Sequence, residues 1–174
     1  IAAVGDSFIQ GLCVKPEKNA IALLRNRYRK TLNLGMGGIG PLVQLAIFRE
    51  YVEPLKPKVV LWAYTARTLD RVSGEAGNPI LLNYLKRGYK QGLWSIQREL
   101  DDMLLRWIEG QVKSRIVERW LRPLVLTGVR QKIDLVFSKR QHEVKQKNEI
   151  LNEILTMAKA AVDSWGGKLY FLYL

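Results

Sequence analysis

The sequence predicts an α/β domain built on a parallel sheet with helices on both faces. Three observations lead there. Short, continuously apolar runs of strand length end at turn residues, segments with apolar residues at helical spacing lie between them, and the two kinds of segment alternate. At 174 residues, with 48% hydrophobic and 25% charged residues, the chain fits one globular domain with a substantial core.

The elements follow in order. Ile1–Val4 is an apolar run ended by Gly5, the pattern of a buried parallel strand. From Phe8 to about Lys30 a helix is expected, with Ala20, Leu23, Leu24 and Tyr28 at helical spacing and Pro16 marking a turn ahead of them. Thr31–Leu34 reads as a second strand, followed by the glycine-rich turn Gly35-Met36-Gly37-Gly38-Ile39-Gly40. Pro41 suits the first position of a helix. That helix runs to about Pro54 and turns Leu42, Leu45, Ala46, Phe48 and Val52 inward. Lys58–Tyr64 is the clearest third strand. A mainly helical, basic insertion is expected at about 78–140. In it Ile108, Val112, Ile116, Trp120 and Leu124 recur every four residues after Trp107, interleaved with Lys113, Arg115, Arg119 and Arg122. Gln141–Trp165 reads as an amphipathic helix ended by Gly166-Gly167, and Leu169–Leu174 as a last strand. The chain opens without a methionine, and both its ends read as strands, so it is expected to be a piece of a longer gene product that lacks its C-terminal part.

Composition narrows the chemistry. The single cysteine, Cys13, excludes an internal disulfide and any zinc site made of paired thiolates. No apolar run is long enough for a membrane span, and the start is not signal-like. No metal or organic cofactor is implied, and the sequence specifies neither compartment nor oligomeric state. The net charge of +12 favours anionic partners. The basic residues are spread out, however, and no nucleic-acid recognition motif accompanies them. The basic insertion fits either a helix lying on an anionic surface or, as the simpler reading, one packed on its own domain.

One serine stands out. Gly5-Asp6-Ser7 directly follows the first strand, where open α/β sheets place ligands, and Ser7 opens a helix whose amides favour a developing negative charge. A serine helix cap is the common alternative. Asn33-Leu34-Gly35 and the glycines after it add backbone amides beside the first strand's end, the material of an oxyanion hole. Asp6 is expected to tie the turn by hydrogen bonds.

Gly5-Asp6-Ser7-Phe8 with Gly11, followed by Asn33-Leu34-Gly35-Met36-Gly37-Gly38, resembles the first two sequence blocks of the SGNH hydrolases, also called GDSL esterases and lipases. The resemblance is specific over roughly residues 1–69 and loose beyond. It implies a three-layer α/β/α, flavodoxin-like domain over 1–174. It further implies a serine esterase that forms an acyl-enzyme on Ser7 and holds the oxyanion with the Gly38 amide. Its substrate would be a carboxylic ester of a lipid, an acetylated glycan or a small molecule. Two departures accompany it. Arg67 stands where the family's third block has an oxyanion-hole asparagine, and losing one such donor costs on the order of 10²–10³ in rate. The family's closing Asp-x-x-His is absent, and His142 lies in a charged stretch, so the base is expected beyond Leu174 and the chain alone should be nearly inert. Two alternatives stand beside this reading. One is a NADP-binding domain using Gly35-x-Gly37-x-x-Gly40, and the other is a non-catalytic binding module on the hydrolase fold.

Overall fold

Strands β1 (Ala2–Gly5), β2 (Leu32–Gly35), β3 (Val59–Tyr64) and β4 (Lys168–Tyr173) form one parallel sheet in the order β2-β1-β3-β4. The computed structural model describes the backbone of residues 1–121 and 140–174 and the side chains of residues 1–110 and 147–174. Two units emerge, one of Ile1–Gln91 with Lys139–Leu174 and the other of Gly92–Ser138. The sheet and all the strands among the described residues lie in the first.

Alternate residues of a strand face opposite sides of its sheet, and both sides of the two central strands are apolar here. On one side Val4, Val60, Trp62 and Tyr64 meet α3 (Pro41–Ile47), the π-helical turn Phe48–Val52 that continues it, and α8 (Arg140–Ser164). Leu42, Leu45, Phe48 and Val52 are fully buried there, as the helical spacing predicts. Helix α8 contributes Ile150, Ile154, Ala158 and Val162, one residue per turn. Each large apolar side chain buried in this way stabilises the fold by about 1.5–3 kcal/mol. Trp62 is the centre of this core: its ring stacks 5.2 Å from Phe48 and 6.1 Å from Tyr64, and its indole N–H donates to Gln44 Oε1 at 2.6 Å.

On the other side Ala3, Leu61 and Ala63 pack with Ile9 of α1 (Ser7–Gln10) and with Ile21 and Leu24 of α2 (Ala20–Arg27). The single helix expected from Phe8 to Lys30 is therefore broken. Gly11 adopts a left-handed φ of 79° and closes α1 after four residues, and a 3₁₀ turn at Pro16–Lys18 precedes α2. Asn19 then caps α2 by accepting the Ala22 amide at 2.7 Å. Strand β2 lies one residue later than the sequence indicates.

Beyond β3 come three short helices, α4 (Ala66–Asp70), α5 (Val72–Ala76) and α6 (Pro79–Asn83). In the second unit α7 spans Gln97–Leu121, and Trp107 and Ile108 are exposed on it. The side chains of Val112, Ile116 and Trp120 lie outside the described residues, as does Leu124 entirely. Among the described residues no helix is long and apolar enough to cross a membrane.

Candidate active site

The chain leaves β1 to form β2 on one side and returns across β1 to form β3 on the other. The helices of the first connection pack on one face and α3 of the second on the opposite face. The direction of winding thus reverses at β1, and the crevice outside its carboxyl end is where such sheets bind ligands. Ser7 stands there, half-buried, as the first residue of α1. Because α1 has only four residues its macrodipole is small, and individual amides must supply any stabilisation of an anion at this point.

The glycine turn reaches the serine. A Cβ built on Gly37 would lie 3.5 Å from Ser7 Cβ, and the Gly37 amide donates to Gln10 Oε1 at 2.6 Å. Gly38 holds a left-handed φ of 82° and is exposed, and its carbonyl accepts from Arg71 Nη1 at 2.9 Å. Among the described residues, the amides of Ser7 and Gly38 and the hydroxyl of Ser7 have no hydrogen-bond partner. The structure thus brings Ser7 against the Gly37–Gly38 turn. It also shows that the Gly37 amide is committed to Gln10 and the Gly38 amide is free.

Asp6 fixes the serine's backbone from below. Its Oδ1 accepts the Phe8 amide at 3.0 Å, and its Oδ2 accepts the hydroxyls of Thr68 at 2.7 Å and Thr65 at 2.9 Å. Burial works against ionisation of this carboxyl, but the hydrogen bonds from Thr68, the Phe8 amide and Thr65 outweigh it and hold the pKa below the ordinary 3.8. The two threonines also form a capping box that starts α4 right after β3. Arg67 lies between them, exposed and without a hydrogen bond or ion pair among the described residues.

A second carboxylate, Glu75, binds the start of α3. Its Oε1 accepts the Gly40 amide at 2.6 Å and its Oε2 the Leu42 amide at 2.9 Å. Burial raises its pKa above the ordinary 4.5, and the amides and the nearby Arg71 only partly offset that. This occupancy bears on the dinucleotide alternative, since a pyrophosphate at the Gly35–Gly40 turn would need amides that Glu75 already holds.

Comparison with family models, with curated proteins and with solved structures returns no match.

Five of these site residues escape the sequence reading: Gln10, Arg71, Glu75, and Thr65 and Thr68 as a pair. Only the threonines carry a local signal, a Thr-x-x-Thr just past a strand. Among the described residues no cluster of potential metal ligands occurs. His142 belongs to α8, and its side chain lies outside the described residues.

Proposed function

We propose that the chain carries the nucleophile and oxyanion hole of a serine ester hydrolase of the SGNH type, with the three-layer architecture of that family. The observation that carries this reading is the juxtaposition of Ser7, at the carboxyl end of β1, with a glycine turn whose Gly38 amide is unbonded. Two unbonded amides beside a half-buried hydroxyl are what a tetrahedral acyl intermediate needs. In this reading Ser7 Oγ attacks the ester carbonyl carbon and gives its proton to a base, while the carbonyl oxygen accepts from the Ser7 and Gly38 amides. The carbon–oxygen bond to the alcohol breaks, the alcohol takes the proton, and water then releases the acid from Ser7. The base in this reading is a histidine other than His142. Exposed Phe8, Leu12 and Met36 flank the serine and offer apolar surface to an acyl chain.

The test is labelling of the full gene product with a fluorophosphonate. Modification at Ser7, together with loss of 4-nitrophenyl acetate hydrolysis in Ser7→Ala, is the expected result. One observation favours a second reading. Arg67 replaces a neutral oxyanion donor with a longer, charged side chain, as a binding module that has given up catalysis would tolerate. Absence of both labelling and hydrolysis in the full gene product would establish that reading in place of the first.

A further inference from the structure

We propose that Arg67 and Arg71 form a cationic clamp beside Ser7, and that the substrate is an ester whose alcohol part carries a carboxylate or phosphate. The inference rests on the hydrolase reading and adds the chemical class of its substrate. Arg67 lies in the first turn of α4, and Arg71 follows four positions later with backbone still in the right-handed helical region, at φ −76° and ψ −15°. Residues four apart on a helix share one face with Cβ atoms about 5–6 Å apart, and this spacing puts Arg67 and Arg71 on the same side of the α4 segment. Arg71 is anchored at the site, because its Nη1 donates to Gly38 O at 2.9 Å. The same bond ties Arg71 to the glycine turn that lies against Ser7.

Neighbouring carboxylates leave the Arg67 charge unpaired, while Arg71 shares part of its charge with the adjacent Glu75. Asp6 spends its oxygens on Phe8, Thr65 and Thr68, and Glu75 on the α3 amides. Asp70, between the two arginines, lies 4.0 Å from Lys147. Among the described residues, the Arg67 guanidinium has no hydrogen-bond or ion-pair partner and the Arg71 guanidinium hydrogen-bonds only Gly38 O. Guanidinium groups bind carboxylate and phosphate through parallel N–H donors, which fits an oxyanion held between two of them. The apolar rim and the arginine face together give the site one apolar and one cationic side. The acyl part suits the first, and an anionic alcohol part the second.

The experiment compares matched esters in the full gene product: 4-acetoxybenzoate, its neutral methyl ester, and 4-acetoxyphenyl phosphate. The expected result is kcat/KM at least about tenfold higher for the anionic esters, carried by KM, the size of one charge-assisted hydrogen bond. The ratio should fall about tenfold in Arg71→Gln and in Arg67→Gln, and should shrink with added salt. The carboxylate and phosphate arms decide which oxyanion is preferred. A ratio near one that neither substitution nor salt moves overturns the clamp while leaving the hydrolase reading intact. Preference for 4-nitrophenyl hemisuccinate over 4-nitrophenyl butyrate, with no preference among the acetoxy esters, overturns the assignment to the alcohol side. Hydrolysis of none of these esters overturns the hydrolase reading and the substrate class with it.

Discussion

Thr68 Oγ1 lies 2.7 Å from Asp6 Oδ2 although 62 positions separate the two residues. This buried bond joins the turn after β1 to the turn after β3, and so joins Ser7 to the segment that carries Arg67. Thr68→Val keeps the side chain's shape and removes the donor. A hydrogen bond to a buried charge is worth about 1.5–3 kcal/mol, and the expected loss of unfolding free energy lies in that range by urea denaturation. A loss below a few tenths of a kcal/mol would mean that the bond holds nothing in place.

The same carboxyl sets an acid limit. Its folded pKa is depressed, so the unfolded chain takes up the proton first as pH falls. The Asp6 contribution is present in full above the unfolded value of about 3.8 and disappears as pH falls through the folded value. Compared with Asp6→Asn, the native protein should therefore lose more stability on acidification below about pH 4. Parallel stability curves for the two proteins would refute this.

Glu75 has the opposite sign. Burial raises its folded pKa, so the folded state holds its proton longer, and stability declines as pH rises from 4.5 through the folded value. Glu75→Gln should flatten that decline. At neutral pH it should also cost about 1–3 kcal/mol, because the new amide nitrogen faces a backbone N–H that the carboxylate accepted. Thermal melts of the two proteins across this pH range read both effects.

Two glycines of one turn should respond differently to alanine. At Gly35 the added carbon would meet Gln10 N at 2.2 Å and Ile9 C at 2.6 Å, both backbone atoms that cannot step aside. Gly35→Ala should cost several kcal/mol or prevent folding, within the range of overpacked cores. At Gly38 the added carbon meets nothing within 4 Å, and only the left-handed φ of 82° opposes it. Gly38→Ala should cost about 1 kcal/mol. Expression yield and chemical denaturation separate the two outcomes.

Much of the scaffold was legible in the sequence, because parallel strands buried on both faces leave continuous apolar runs. Ala2–Gly5 and Val59–Tyr64 announce themselves in this way, and Pro41 marks the start of α3 by its fixed φ. The break at Gly11 was harder to see, since the helical spacing of Ala20, Leu23 and Leu24 does not mark where their helix begins. Ser7 and the glycine turn were visible as a pattern. The groups that orient them were not, because Gln10, Arg71 and Glu75 act at distances of 27, 33 and 35 positions along the chain, and no local periodicity encodes such pairings.

Gly35 lets the backbone of α1 rest directly on the backbone of β2, with no side chain between them. A serine mounted on such a contact has little independent freedom: its main chain shifts only if the sheet shifts. Motion at the hydroxyl is then largely rotation about a single side-chain bond, and anything entering the crevice meets a group whose position is set by the sheet. Amide exchange at Gln10 should accordingly be as slow as in β2.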